Sequence, residues 1–473
     1  MNRRVAIAAC ALAVIVAVAL FGSRVLVDAD AYKARFEAAA SDPLGLQIRV
    51  GGPLAFAFNG DLLLVMRDLH VTDASGAEVL SADRAEAAVA VLPLLFGKRH
   101  VRRIELSRPK ILLTRDRAGA LNWSRRAKPR GSRTVFDRAR LTIRDGAVRY
   151  VDESTTGAVV ATGVNAKIRD LRDLFAGGPS ALSRASFRGD VSLKSIRSET
   201  LAVTDMSFRA NARRGVLDLD PVAMRVFGGE GSASLRADLT DSIPRFRTRY
   251  TLSRFDIDQC LRVLSADTIA TGAMDFAGTL AWTGRTPAEW KRSMNGEVVL
   301  SGRELLLRGQ NLDHELSKFE SSQSFNLLDV GSFFFAGPLG MAVTKGYDFA
   351  RLVKRSDGGT RIRTIMSSWT VEGGALHAND VAMATEKNRM ALTGRVDFVE
   401  QRFDSVTVAV VDEDGCAKVR QELRGTFQAP ELTKPSILSA LLGPARKVVT
   451  GAKDLLPLGP CTPFYAGSVP APK

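Results

Sequence analysis

The stretch Arg140-Leu141-Thr142-Ile143-Arg144-Asp145-Gly146-Ala147-Val148-Arg149-Tyr150 decides the fold class of this chain. Apolar and polar residues alternate on both sides of Asp145-Gly146, and a period of two is typical of a β-strand with one apolar and one polar face. Asp-Gly between two alternating stretches is a strong signal for a tight hairpin turn. We therefore predict two antiparallel strands that meet at Asp145-Gly146.

The same alternation continues along the rest of the chain, as in Met390–Phe398 and Val406–Val410. A glycine followed by apolar residues two and four positions later recurs. These copies begin at Gly146, Gly189, Gly272, Gly296 and Gly394. Their irregular intervals do not fit a solenoid of fixed period. We predict a mainly β protein in which many antiparallel strands form one elongated, twisted sheet.

Helical signals are few. Thr286-Pro287-Ala288-Glu289 is a capping box with proline at the first helical position, which predicts a short helix through Met294. Tyr32 and Phe36 predict another over Asp28–Ala40, ended by Asp42-Pro43. Ser436–Ala452 is a broken amphipathic helix in our interpretation, which caps the sheet; contact with a membrane is the alternative.

The N-terminus contains a long apolar segment. Val5–Ser23 has no charged residue and, as a helix, extends about 28 Å, close to the thickness of a bilayer core. Arg3 and Arg4 precede it, so the positive-inside rule predicts a cytoplasmic N-terminus and a body across the membrane, in the periplasm of a two-membrane bacterium. The alternative is a signal peptide cleaved near Ala29-Asp30-Ala31, although the apolar run exceeds the usual ~7–15 residues.

Composition and charge limit the function class. The 473 residues carry 66 Lys+Arg against 51 Asp+Glu, with 45% hydrophobic residues, and this excludes a disordered, collagen-like or disulfide-stapled chain. We predict five segments along the chain. They are a cytoplasmic tip and transmembrane anchor (1–27), an N-terminal module (28–124), a basic linker (125–134), an elongated β body (135–415) and a C-terminal cap region (416–473).

The chain shows no enzyme signature. Its four histidines are far apart, and it lacks the nucleophile-elbow, P-loop and Cys-x-x-Cys motifs. We predict no enzymatic activity, cofactor or metal; a hydrolase with paired carboxylates is the open alternative. The basic clusters at Lys98–Arg103 and Arg125–Arg133 lack interleaved aromatic residues, so we expect no nucleic acid partner. They form a solvated face or contact anionic lipid headgroups.

The cysteines suggest one cross-link. Cys416 and Cys461 lie in the C-terminal quarter, and an oxidising compartment permits them to pair. Two unpaired thiols are the alternative. Cys260 lies in a helical pattern and is predicted to be a small core residue.

Several stretches carry a family resemblance. They are Ala82–Gly97 with its end Leu92-Pro93-Leu94-Leu95-Phe96-Gly97, Ile104–Leu113, Gly119-Ala120-Leu121-Asn122-Trp123, Phe325–Gly331, Ala336–Gly340 and Cys461–Val469. Together with the N-terminal segment, they resemble the AsmA family. Ala118-Gly119 replaces the Asp-Gly of that family, and the middle third of the chain resembles it only loosely.

The resemblance implies a location and a function. AsmA-like proteins are bacterial inner-membrane proteins with one N-terminal helix, a periplasmic body and a link to outer-membrane biogenesis. Their fold resembles the β-groove of bridge-like lipid-transfer proteins. The resemblance therefore implies that the sheet curls into a groove and that phospholipid is the partner. It fixes no lipid-contacting residue. Phe333, Phe334 and Phe335, after Asp329-Val330-Gly331, are our candidate lipid-facing cluster, with ordinary core as the alternative. The alternative function is an adaptor for outer-membrane assembly proteins that holds no lipid.

Overall fold

The computed structural model describes residues 27–28, 33–44, 46–95, 99–117, 121–122, 134–135, 138–154, 157–172, 186–263, 270–308, 311–314, 316, 358–433, 436–437 and 461–472. These residues are mainly β, with a large mixed sheet and few short helices.

The strands β9, β10, β18 and β19 have 14 or 15 residues each, whereas β1, β8, β16 and β25 have two. Their bounds are β1 (Val27–Asp28), β2 (Gln47–Val50), β3 (Leu54–Asn59), β4 (Asp61–Thr72), β5 (Glu78–Ala90), β6 (Arg99–Ser107), β7 (Lys110–Arg115), β8 (Thr134–Val135), β9 (Ala139–Asp152), β10 (Ala158–Arg172), β11 (Ser186–Arg197), β12 (Ala202–Arg213), β13 (Val216–Val226), β14 (Gly229–Asp238), β15 (Arg245–Asp256), β16 (Ala270–Thr271), β17 (Ala273–Thr283), β18 (Asn295–Arg308), β19 (Gly359–Glu372), β20 (Ala375–Ala384), β21 (Arg389–Asp397), β22 (Arg402–Val411), β23 (Ala417–Thr426), β24 (Pro430–Leu432) and β25 (Ser436–Ile437). The helices are α1 (Lys33–Leu44), α2 (Val91–Leu95), α3 (Ile257–Leu261) and α4 (Pro287–Ser293).

The chain divides into two compact units. Unit 1 comprises the residues up to Met224 together with Asp238–Thr240, and unit 2 comprises Arg225–Ala237 and the residues from Asp241 onward. The segment boundaries predicted from the sequence at 125–134 and near 416 stay predictions.

The strands of unit 1 are not all antiparallel. β3, β4, β5 and β6 pair antiparallel in chain order. β9, however, runs parallel to β6 over Arg140–Arg144 and parallel to β7 over Ala147–Asp152. Parallel neighbours require a crossover connection, here the chain between β7 and β9. The prediction of a purely antiparallel sheet is therefore wrong at this place.

Asp145-Gly146 does not form a hairpin turn. Both residues lie inside the continuous strand β9, where Asp145 has a φ of 51° and the register with β10 shifts. Asp tolerates this left-handed conformation, which places a β-bulge in the strand. A Cβ on Gly146 would lie 3.0 Å from the Ile143 side chain and 3.1 Å from the Pro109 ring, so the position is also crowded. The predicted hairpin is wrong because a bulge and a turn favour the same residue types.

Similar left-handed residues recur inside other long strands, and the register shifts at Asp170, Arg254 and Ser405. Positive φ values occur at Asp68, Asp170, Arg254, Glu304 and Ser405. The residue that follows each of them is apolar and at most 7% exposed. These residues are Leu69, Leu171, Phe255, Leu305 and Val406. These left-handed residues therefore interrupt the simple alternation while keeping apolar side chains on one face.

The helices predicted from the sequence are confirmed only in part. α4 is confirmed, since the Thr286 hydroxyl accepts a hydrogen bond from the Glu289 N–H at 3.3 Å. α1 begins and ends later than predicted and continues past Pro43. The predicted helix at Ser436–Ala452 is wrong at its start, because Ser436–Ile437 form β25; Leu438–Ala452 lies outside the described residues.

The predicted membrane anchor, Val5–Ser23, also lies outside the described residues. Among the helices of the described part of the chain, none has the length and apolar character to span a bilayer.

Unit 2 contains an extended hydrophobic core. A single cluster of buried side chains extends from Leu252 to Leu423, and Phe255, Ile365 and Met383 in it have no exposed surface. Cys260 in α3 is also buried, as predicted, and burial raises the pKa of its thiol to about 12.

The C-terminal segment 461–472 packs on a second apolar cluster of unit 2. Tyr465 and Val469 contact a patch of strand residues that includes Ala382, Ala391 and Ala409. The Tyr465 hydroxyl donates to Asp380 Oδ1 at 2.6 Å and accepts from the Val469 N–H at 2.9 Å. Arg389 Nη1 donates to the Val469 carbonyl at 3.1 Å, and its guanidinium lies 5.5 Å from the Tyr465 ring centre.

Cys416 and Cys461 are joined by a disulfide, with Cα atoms 6.1 Å apart. The bond connects the start of β23 with the start of this segment. Thiol counting on reduced and unreduced protein tests the pairing.

Candidate functional site

Four strands of unit 1 present an apolar surface. β9, β10, β11 and β12 pair antiparallel in chain order. Ile143 lies opposite Ala166, Ala166 opposite Val191, and Val191 opposite Phe208. Directly opposite residues have their side chains on the same face, so these four form one cross-strand row.

Four further rows lie on the same face, two on each side of the first. On one side of the central row lie the row Leu141, Ile168, Gly189 and Ala210 and, beyond it, a row in which Ala139 pairs with Leu171 and Phe187 with Ala212. On the other side lie a row in which Gly146 pairs with Val164 and Leu193 with Met206 and, beyond it, the row Val148, Ala161, Ile196 and Val203. Every member is apolar or glycine. We call these five rows the open apolar face.

The large side chains of the open apolar face are partly exposed. Ile143, Val191, Leu193, Met206 and Phe208 are all of intermediate exposure. Leu171, at 1%, is the one large side chain of the five rows that is fully buried. None of the three clusters of buried hydrophobic side chains in the described residues includes a residue of β9–β12.

Such a face is unusual for a sheet. An apolar sheet face is ordinarily buried against a second layer of structure. Contiguous exposed apolar surface marks a site that binds a partner, a ligand or a membrane. The rows therefore form a candidate binding surface for an apolar molecule.

The opposite face of the same strands is charged. Lys167 lies opposite both Thr142 and Asp190, and Asp190 lies opposite Arg209. Arg169 Nη2 and Arg209 Nε are 3.3 Å and 3.6 Å from the Asp190 carboxylate, and all three side chains are exposed. The sheet thus separates an apolar from a hydrated face.

The middle of these strands also borders a concavity of about 750 Å³. Its lining includes the central row, Ile143, Ala166, Val191 and Phe208, together with the polar neighbours of each residue along its strand. This volume is in the range of pockets that hold small molecules.

The predicted lipid-facing residues Phe333, Phe334 and Phe335 lie outside the described residues, as does the basic cluster at Arg125–Arg133. The open apolar face was not singled out from the sequence. Its signal was the alternation after Gly146 and Gly189, which predicts strands and does not show which strand faces stay uncovered.

The model of the AsmA family matches residues 181–334 of the chain. This match includes β11 and β12 of the open apolar face and overlaps the Phe325–Gly331 stretch. Neither a curated protein nor a solved structure matches the chain. Over residues 181–334, this chain is therefore similar to the AsmA family.

Proposed function

We propose that this protein supports outer-membrane biogenesis by binding or transferring phospholipid along the open apolar face. In this proposal the face lines a groove, the Val5–Ser23 helix anchors the chain in the bacterial inner membrane, and the body lies in the periplasm. The AsmA family segment is consistent with a role in the cell envelope. One observation supports lipid binding in particular. In four of the five rows, all except the row that contains Leu171, every large apolar side chain is partly exposed.

The dimensions of the face suit an acyl chain. Along β11 it extends from Phe187 to Ile196, which corresponds to about 30 Å at the rise of a β-strand. One leaflet of a bilayer contributes about 15 Å of hydrocarbon thickness. A phospholipid tail can therefore lie along the strands over its full length.

The energetics favour such binding. Each methylene group that leaves water for an apolar surface contributes about 0.8 kcal/mol. Covering the exposed parts of Val191 and Phe208 adds to this gain from the protein side. A polar ligand of similar size would lose hydration against these rows without finding hydrogen-bond partners.

Photocrosslinking tests the proposal. We would replace Phe208 with the photoreactive residue p-benzoylphenylalanine in the full chain, expressed in bacteria, and identify the adducts by mass spectrometry. The matched control carries the same probe at Ser207, the exposed neighbour on the hydrated face. We expect phospholipid adducts at position 208 and few at position 207.

Two results would contradict the proposal. Absence of lipid adducts at position 208 would indicate that the face is covered by protein, and the adaptor function would then be favoured. Equal yields at both positions would indicate non-specific contact with membrane lipid.

A further inference from the structure

The open apolar face of unit 1 does not end at β9. Ile143 lies opposite Leu106 of β6, and the central row continues from there across β5, β4 and β3. The whole row consists of Leu54, Met66, Ala85, Leu106, Ile143, Ala166, Val191 and Phe208. Since directly opposite residues of paired strands have their side chains on one face, these residues line the same side of the sheet.

The neighbouring row continues in the same way. Leu141 lies opposite Ile104 of β6, and the row then passes through Ala87 and Leu64 to Phe56. Every added member of both rows is apolar. The open apolar face is therefore part of a longer apolar surface that extends from β12 to β3.

This longer surface is closed at its β3 end. Leu54, Met66 and Ala85 are 1%, 7% and 2% exposed and belong to one buried cluster. Among the described residues of that cluster and its partly buried neighbours, two come from outside the strands, Leu46 and Phe36 of α1. We call α1 together with Leu46 the N-terminal lid.

Two side chains of the N-terminal lid bind the edge strand β2. The Val50 N–H donates to Glu37 Oε1 at 2.8 Å, and the Ile48 N–H donates to Ser41 Oγ at 2.9 Å. Phe36 is the one aromatic residue of α1, whose sequence is rich in alanine. Side-chain hydrogen bonds of this kind contribute little net free energy each, because water replaces the lost partner. The lid is thus attached far more weakly than the strands are to one another.

We propose that the N-terminal lid and an acyl chain compete for the apolar rows of β3–β6, so that lipid displaces the lid and occupies the surface from β12 to β3. The inference rests on the proposed function and adds to it a device that closes one end of the binding surface. An acyl chain would replace the apolar contacts of Phe36 and Leu46 with those of its methylene groups. Leu54 and Met66 would therefore stay out of water in both states.

The position of the lid suits an entry point for lipid. The chain between Ser23 and Lys33 spans at most about 35 Å. In the proposed function Val5–Ser23 crosses the inner membrane, so the lidded end of the surface is held near the bilayer. Lipid that leaves the bilayer would meet the lid first.

Photocrosslinking at two positions tests the competition. p-Benzoylphenylalanine replaces Phe56 in one full-length protein and Phe208 in another, because both are partly exposed phenylalanines on the same apolar surface. Phe56 lies at the lidded end and Phe208 at the open end. Phospholipid adducts formed in bacteria are quantified by mass spectrometry. We expect roughly tenfold fewer adducts at position 56, since two hydrogen bonds worth about fivefold each favour closure.

A double substitution should release the lid. Glu37→Ala with Ser41→Ala removes both acceptors of the β2 N–H groups, whereas alanine preserves the helix. Adducts at position 56 should rise roughly tenfold, to the level of position 208. The matched control is Glu37→Gln with Ser41→Thr, which keeps an acceptor oxygen at both positions. This variant should keep the wild-type ratio.

The outcomes separate the lid from lipid binding itself. A low yield at position 56 in the alanine variant, with adducts still present at position 208, would show that the lid is a permanent part of the core and would overturn the inference. Equal yields at both positions in the wild type would also overturn it, because the surface would not be closed. Absence of adducts at both positions would overturn lipid binding. If circular dichroism showed that the alanine variant is unfolded, Phe36→Ala would take its place with the same expected rise at position 56.

Discussion

Two regions of the molecule carry similar apolar rows with opposite exposure. In unit 1, the row Ile143, Ala166, Val191 and Phe208 crosses four strands, and its large side chains are partly exposed. In unit 2, a row crosses β17–β22. Its members are Met274, Gly302, Ile365, Met383, Met390 and Val410. Apart from the glycine, these residues are 0–5% exposed.

The difference shows that alternation predicts which side chains share a strand face, but not whether that face is buried or exposed. Both rows have apolar side chains in register, and both faces are interrupted by bulges. The row of unit 2 belongs to a continuous buried cluster that also contains Phe255 and Trp369. The row of unit 1 belongs to none. We infer that the first face stabilises the fold and the second binds a ligand.

The largest expected effect comes from placing a charge on each face. Ile365→Glu should lower the free energy of unfolding by more than about 5 kcal/mol, because it removes buried contacts and buries a carboxylate without a partner. Val191→Glu should change it by less than about 1 kcal/mol, since solvent reaches this side chain. Urea unfolding followed by circular dichroism measures both. A severe loss of stability in Val191→Glu would show that the face of unit 1 is also closed.

Truncation of phenylalanine sharpens the comparison. Phe255→Ala should cost about 3–5 kcal/mol, the usual effect of a cavity in a packed core. Phe208→Ala should cost about 1 kcal/mol because its ring is already partly hydrated. The same unfolding experiment compares them. Equal costs would contradict the distinction between the two faces.

The disulfide adds a constraint in unit 2 alone. Cys416→Ser with Cys461→Ser opens a loop with a sequence separation of 45 residues and should cost about 2–4 kcal/mol. Thermal unfolding of the variant, compared with the wild type under oxidising and reducing conditions, measures this effect. If reduction left the wild-type transition unchanged, the bond would not hold the C-terminal segment.

The smallest effect concerns Tyr465 and pH. Burial and the neighbouring Asp380 raise the pKa of Tyr465 to about 12. An unfolded tyrosine has a pKa near 10, so the folded state favours the neutral ring, and this stabilisation is present below pH ~10 and is lost as the pH rises through ~12.

Tyr465→Phe removes this dependence together with two hydrogen bonds, and it should cost about 1 kcal/mol at neutral pH. The wild-type melting temperature should therefore fall more steeply than that of the variant between pH ~10 and ~12. Parallel curves would show that the hydroxyl titrates normally.

Part of this arrangement could be predicted from the sequence. The alternation around Arg140–Tyr150 and Met390–Phe398 predicted strands that the structure contains, and Thr286-Pro287 predicted α4. The bulge at Asp145 was missed because Asp-Gly suits a turn equally well. The parallel pairing of β9 with β6 and β7 was missed because a crossover leaves no local signal.

The candidate site depends on information that alternation does not contain. Which face of β9–β12 stays open depends on the neighbouring elements, and these are determined by tertiary packing. The central row unites Ile143, Ala166, Val191 and Phe208, which are far apart in the sequence and meet only through the strand register.

The central claim is that the open apolar face holds phospholipid, and the most direct test is the amount of lipid that purifies with the full chain. We would extract the washed protein with organic solvent and quantify phospholipid by mass spectrometry for the wild type, Val191→Glu and Ser192→Glu. The last places the same charge on the hydrated face. The account predicts stoichiometric phospholipid in the wild type and Ser192→Glu, and little in Val191→Glu. A wild-type protein without lipid, or equal amounts in both variants, would contradict it.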